Sequence, residues 1–282
     1  MNGPRVLIID GYPKRVREKL VEDGATVAAE LYTDTLKTCR DDTSCEIVYA
    51  ADPDSALPSG TVLSDFDGAV WTGSVVSVRN TSDASVRRQI EFAKSVFESG
   101  VTGFGSCFAI QIATVAAGGS VVHNPKGREV GVGRGLTLTK AGRSHPVFEG
   151  RRPVFEAAMI HEDMVASLPS GGIVLAENDM SPIQAATFPA GETIFTGVQY
   201  HPEFHASELG AILWRQRKTL VQEGFYPDFD SVRASADDMI ALHKEPSRTD
   251  LREKTGISDD LLDDSIRLTE VRNWVNSLTR SN

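Results

Sequence analysis

The 282-residue chain has 29 Lys and Arg against 39 Asp and Glu, a net charge of −10. Its basic residues are scattered, which argues against nucleic acid or an anionic membrane as a partner. The length suits one main domain with an appendage and an ample core, and the 3 cysteines, an odd number, suit a reducing, cytoplasmic setting better than a disulfide framework.

The apolar run Val6-Leu7-Ile8-Ile9 stops at Asp10, too short for a signal-peptide core or a membrane span, and reads as a first buried strand. A helix over 13–23 and a strand over 25–29 follow. Residues 34–58 read as a polar, irregular excursion with one strand candidate, 46–49. Cys39 and Cys45 fall in this excursion with no histidine or further cysteine nearby, and are expected to be free surface thiols rather than metal ligands. Then come a core strand over 68–72, a helix over 83–99, a strand over 102–105 and a helix over 109–117 that ends at Gly118-Gly119. Apolar runs alternating with helical patterns predict an α/β fold with a doubly wound, mostly parallel sheet.

From 120 to 196 the pattern shifts to shorter strands, at 135–139, 154–158, 173–177, 183–187 and 193–197, expected to form a small, largely antiparallel sheet. A helix over 206–223 closes a main domain of residues 1–224. The remaining residues, 225–282, read as a helical extension, with helices over 230–242 and 258–277 parted by Pro246 and Gly256. In the second helix Leu261, Leu262, Ser265, Leu268, Val271 or Arg272, and Val275 recur at three- and four-residue steps. That face should be buried, either beside the antiparallel strands or across a two-fold interface.

Two stretches carry chemistry. In Gly103-Phe104-Gly105-Ser106-Cys107-Phe108-Ala109-Ile110-Gln111, small residues crowd one side of a cysteine and an apolar helix begins on the other, the pattern of a nucleophile elbow at a strand C-terminus. Gly197-Val198-Gln199-Tyr200-His201-Pro202-Glu203 supplies an imidazole and, across a stiffening proline, a carboxylate to orient it. The thiolate is the reactive form, favoured by a helix N-terminus and a neighbouring cation. A cysteine taken alone is more often a small buried hydrophobe; the elbow glycines and the His-Pro-Glu partner favour Cys107, His201 and Glu203 as a catalytic triad. His123, His145, His205 and His243 lack a partner pattern and default to structural roles.

The order and wording of these stretches resemble the class I (triad) glutamine amidotransferase family, in which a G-x-C-x-G-x-Q elbow precedes a distant Q-x-H-P-E. The resemblance covers residues 5–220 and takes in Asp67-Gly68-Ala69-Val70-Trp71-Thr72-Gly73-Ser74 before the elbow, and His161-Glu162-Asp163-Met164-Val165 with Leu168-Pro169 after it. It implies a flavodoxin-like fold and a cysteine amidohydrolase that cleaves glutamine, or an N-substituted γ-glutamyl amide, through a γ-glutamyl thioester. Backbone N–H groups of Gly73, Ser74 and Phe108 would hold the oxyanion. Gln111 would contact the γ-glutamyl portion, with His161, Glu162 and Asp163 lining its pocket and Arg128 or Glu129 at the border. Neither a cofactor nor a metal is implied. Thr72-Gly73-Ser74-Val75 replaces the family's usual Ser-Gly-Gly-Pro, and Ala109 replaces an elbow glycine; neither change removes a reacting group.

Other readings are an ammonia-supplying subunit of a separate synthase, a non-catalytic regulatory relative, and a peptidase-like cysteine enzyme. Intact Cys107, His201 and Glu203 weigh against the second, and the His-Pro-Glu wording against the third. The expected partners are a small γ-glutamyl substrate and either a separate synthase or a second copy. No nucleotide-binding glycine loop follows Leu220.

Overall fold

The computed structural model describes residues 3–22 and 25–278. Its strands are β1 (Arg5–Ile9), β2 (Ser44–Val48), β3 (Gly68–Trp71), β4 (Gly103–Ser106), β5 (Ser120–His123), β6 (Glu129–Leu138), β7 (Val154–His161), β8 (Asp163–Ser167), β9 (Ile173–Glu177), β10 (Ala185–Ala190) and β11 (Thr193–Val198). Among the described residues they form a nine-stranded sheet ordered β2-β1-β3-β4-β11-β10-β9-β6-β7 and a two-stranded sheet, β5-β8. Strands β2, β1, β3, β4 and β11 run parallel, so their C-terminal ends share one edge, and Asp10, Thr72, Cys107 and Gln199 follow directly from them.

Alternation along β1 divides the core. Leu7 and Ile9 join Trp71, Phe195 and the helices Ala84–Glu98 and Phe108–Ala116 on one face. Val6 and Ile8 join Val70, Phe104, Tyr32 and Leu36 on the other. Burying a large aliphatic side chain contributes about 1.5–3 kcal/mol, so the uninterrupted apolar runs strongly favour this two-sided layering.

The expected strand over 25–29 is instead the approach to a helix, Ala28–Cys39, with Val27 as its extended N-cap residue. Ala29, Tyr32 and Leu36 form the buried stripe, a helical period that outweighs the short Thr26-Val27 run. Cys39 therefore ends a helix and Cys45 lies within β2; both thiols are free but half-buried against the second core face, not on the surface. Burial pushes each thiol up to about 11. The first helix is Lys14–Glu22; its expected last residue, Asp23, lies outside the described residues, as do 279–282 of the tail.

Most of the antiparallel strands expected in a small sheet extend the large one. Strand β11 pairs with β4 on one side and on the other with β10, through a hairpin turn at Gly191, where φ is +56°; Gly takes this conformation without a Cβ penalty. The small antiparallel sheet is β5-β8. No described helix is long and apolar enough to cross a membrane.

The tail helix expected over 258–277 is broken into Asp259–Leu262, Asp264–Arg267 and Thr269–Ser277. Ser258 and Asp263 accept from the backbone N–H of Asp260 and Ser265, capping the first two. Short polar side chains that cap well also interrupt well. Asp260 accepts from the backbone of Glu156 on β7, whereas Val271, Trp274 and Val275 cover the parallel strands, with Trp274 and Phe104 ring centres 5.6 Å apart. A Cβ on Gly68 would come within 2.9 Å of Trp274 and Leu278, so glycine there makes room for the docked tail.

Candidate active site

Cys107 stands between β4 and the helix Phe108–Ala116. Among the described residues it is the only non-glycine residue with positive φ, 53°. Such strain of about 1–3 kcal/mol persists where surroundings over-determine it: the Cys107 N–H donates to Val198 O at 2.8 Å. Gly105 makes the turn possible, since a Cβ there would lie 2.4 Å from Ala109 Cβ and 2.6 Å from Trp71 O. The methyl group that Ala109 adds therefore fits into space left by Gly105.

The His-Pro-Glu turn lies beside the elbow because β11 pairs with β4. A carboxylate only accepts, so His201 Nδ1 donates to Glu203 Oε1, at 2.7 Å. Ser106 Oγ donates to the same oxygen at 2.8 Å, and Tyr32 OH to Ser106 Oγ at 2.7 Å, which orders the carboxylate from behind. The imidazole stacks on Phe204, with ring centres 4.0 Å apart and planes 4° from parallel. His201 Nε2 is buried and makes no directed hydrogen bond among the described residues, which leaves it available for proton transfer. Burial, the largest single influence, disfavours its charge, but the Glu203 carboxylate and then Cys107 outweigh this, raising the imidazolium to about 10.

The loop after β3 closes the other side. A Cβ on Gly73 would lie 3.0 Å from His201 Cε1 and 4.0 Å from Cys107 Cβ, so the backbone here approaches both groups closely. Thr72 Oγ1 accepts from Gly11 N at 3.0 Å and donates to Gly73 O at 2.8 Å, while Ser74 Oγ donates to Gly11 O at 2.7 Å. These side-chain bonds hold a loop that lacks the usual second glycine and proline. Phe108 opens the elbow helix, where backbone N–H groups have no intrahelical acceptor.

A cleft of about 460 Å³ joins Gly73, Ser74, Cys107, Phe108, Gln111, Arg128, His161, Glu162, Asp163, His201 and Glu203 along its wall. Gln111 is buried, and its Nε2 donates to Asp163 O at 3.0 Å and Gln199 Oε1 at 3.2 Å. His161 is buried between Asp163 O and Glu129 Oε2, both at 3.0 Å. Asp163 accepts from Arg79 Nε at 2.8 Å and from Ser77. Glu162, half exposed, meets Arg128 Nη2 at 2.7 Å and His123 at 3.4 Å. Among the described residues no group of three or more His, Cys, Asp or Glu is placed to hold a metal.

Tyr32, Ser77 and Arg79 were not singled out by the sequence, and Ser106 was read only as a small elbow residue, not as a partner of Glu203. Tyr32 had a signal in its three- and four-residue spacing from Ala29 and Leu36, hidden by the strand assigned to 25–29; Ser77 and Arg79 reach Asp163 from a distant chain segment.

An elbow cysteine, a carboxylate-held imidazole and this sheet order coincide with a family-wide match: the model of glutamine amidotransferase class-I fits residues 26–218, and the chain belongs to that family. It is 31% identical over 285 aligned residues to the γ-glutamyl-L-1-hydroxyisopropylamide hydrolase of a Pseudomonas species, spanning 99% of this chain and 94% of that one. Identity to the glutamine-hydrolysing GMP synthase of Streptomyces avermitilis is 36%, over 42% of this chain and only 21% of the synthase. The glutamine amidotransferase structure from Methylobacillus flagellatus matches with TM-score 0.63 at 17% identity, covering 99% of this chain and 97% of that one. One from Thermotoga maritima gives 0.58 at 14%, covering 92% and 100%. At such identities these structures share the fold.

Proposed function

We propose that the chain is a free-standing hydrolase of γ-glutamyl amides, with Cys107 as nucleophile, His201 as acid and base, and Glu203 as its orienting carboxylate. The observation that carries this reading is the end-to-end relation to a γ-glutamyl amide hydrolase, 99% of this chain on 94% of that enzyme. Glutamine-hydrolysing synthases share only a fraction of their length with it.

Cys107 passes its proton to His201 Nε2 and its sulfur adds to the γ-carbonyl carbon; the oxyanion is held by the N–H groups of Gly73, Ser74 and Phe108, each donor lowering the barrier by about 2.7–4 kcal/mol. The His201 proton passes from Nε2 to the amine nitrogen, the C–N bond breaks and a γ-glutamyl thioester remains. Water then adds to the thioester, giving up a proton to His201, and glutamate leaves as the Cys107 thiol re-forms. Gln111, His161 and Asp163 surround the γ-glutamyl portion, while Glu162 lies at the rim with Arg128. The same cleft is also lined by Tyr12, Leu20, Leu31 and Ile212, partly apolar space that suits an amine larger than ammonia.

Incubating the protein with glutamine and a series of N-alkyl and N-hydroxyalkyl γ-glutamyl amides, and measuring glutamate, tests the reading. Higher kcat/KM on substituted amides than on glutamine is expected. Release from glutamine alone, and only when a synthase is added, would favour ammonia supply instead.

A further inference from the structure

The tail does more than cover the sheet, because two of its side chains reach the backbone and side chain on either side of His201. Arg267, on the helix Asp264–Arg267, donates from Nη1 to the Pro202 carbonyl, the peptide between the acid-base histidine and its carboxylate. Glu270, on the next helix, accepts from Tyr200 OH at 2.8 Å. Both lie beyond residue 218, where the family match ends.

Each contact is buried and charge-assisted. Pro202 is buried, as are His201 and Glu203, so its carbonyl would be costly to leave unpaired, by about 1–3 kcal/mol. Arg267 is 7% exposed, and its other terminal nitrogen pairs with Asp264 at 2.6 Å. Glu270 is fully buried; Arg151 Nε lies 3.3 Å from its Oε1, an ion pair, and the Arg151 guanidinium caps the Phe155 ring at 4.3 Å. Phe155 in turn packs edge-on against Tyr200, with centres 5.6 Å apart and planes at 73°.

Residues 199–205 form neither helix nor strand. The backbone bonds on residues 199–204 are Gln199 N to Gln184 O at 2.8 Å, His201 N to Ala158 O at 2.9 Å, and Phe204 N to His201 O at 3.2 Å, which closes the turn over Pro202 and Glu203. None of these three engages Pro202 O, which Arg267 holds from outside the turn. A small misplacement of a catalytic group costs a large factor in rate, so this added hold bears on the position of His201.

We infer that Arg267 and Glu270 are positioning residues for the proposed reaction, and that the C-terminal helices are a built-in clamp on the His201-Pro202-Glu203 turn. This rests on the assignment of His201 and Cys107 under the proposed function. Without the Arg267 contact the turn relaxes, the imidazole drifts from Cys107, and proton transfer to the leaving amine suffers while the γ-glutamyl pocket stays as it was.

The test compares the wild type with Arg267→Ala, Arg267→Lys and Glu270→Gln by steady-state kinetics on a γ-glutamyl amide and by iodoacetamide alkylation of Cys107 at neutral pH. Burial holds the Cys39 and Cys45 thiols near 11, so Cys107 dominates the labelling, and the labelling needs no substrate. A wrong substrate assignment therefore leaves the alkylation result intact. The expected result for Arg267→Ala is a fall in kcat of tenfold or more with KM within about twofold, a parallel loss of alkylation rate, and partial recovery of both in Arg267→Lys or on adding guanidinium to Arg267→Ala. Folded Arg267→Ala with wild-type kcat and alkylation rate overturns the proposal. If Arg267→Ala does not fold, the alkylation rates of Arg267→Lys and Glu270→Gln decide in the same way: reduced rates support the clamp, unchanged rates in both refute it.

Discussion

At the scale of single residues, the proposed chemistry depends on one oxygen shared by two donors. Glu203 Oε1 accepts from His201 and Ser106, so Glu203→Gln keeps an oxygen that can accept from both but loses the charge that favours the imidazolium. A kcat at least tenfold lower with little change in KM is expected from steady-state rates; an unchanged kcat would leave Cys107 and His201 working as a pair. Gly73→Ala places a methyl 3.0 Å from His201 Cε1, and should lower kcat severalfold while leaving the melting temperature nearly unaltered. His201 also links activity to stability. Its folded value, about 10, lies above the reference value near 6.5. The stability it contributes is thus fully present below about 6.5 and lost as pH rises through about 10. Denaturation midpoints should fall across that window in the wild type and fall less in His201→Gln. Cys107, His201 and Glu203 were legible in the sequence because their spacing is local, two residues for the histidine and carboxylate and a glycine-rich turn for the cysteine. The roles of Ser106 and Tyr32 were not, because Ser106 meets Glu203 through the pairing of β4 with β11 and Tyr32 meets Ser106 through the packing of a helix on the sheet.

At the scale of elements, buried strands follow from uninterrupted apolar runs, and these were readable: β1, β3, β4, β9 and β11 fall within a residue or two of expectation. Elements whose signal is shared between two periods were not. Residues 25–29 contain a β-branched pair, yet Tyr32 and Leu36 supply the burial that settles the chain into a helix from Ala28. Residues 258–277 read as one helix because Leu261, Leu268, Val271 and Val275 keep a helical step; Asp263 breaks it by capping Ser265, and the apolar step survives because all four side chains are buried. The terminal helix should be a large contributor to stability. Trp274 is 5% exposed and packs on Phe104, so Trp274→Ala should cost about 3–5 kcal/mol, read as a lower denaturant midpoint with the slope unchanged. A shift near zero would mean that the helix is undocked in solution.

At the scale of the whole molecule, a family domain and its tail converge on one edge of the sheet. The parallel strands β1, β3, β4 and β11 deliver Gly11, Gly73, Cys107 and His201 to that edge, and the tail reaches the same place through Arg267 and Glu270. The central claim is that Cys107 carries the γ-glutamyl group as a thioester. Rapid acid quench of the enzyme during turnover of a γ-glutamyl amide, followed by peptide mass spectrometry, measures it directly. The account predicts a γ-glutamyl mass gain on the peptide holding Cys107, lost on treatment with hydroxylamine and absent, together with glutamate release, in Cys107→Ala; glutamate release that persists in Cys107→Ala, or an adduct on Cys39 or Cys45 instead, would contradict it.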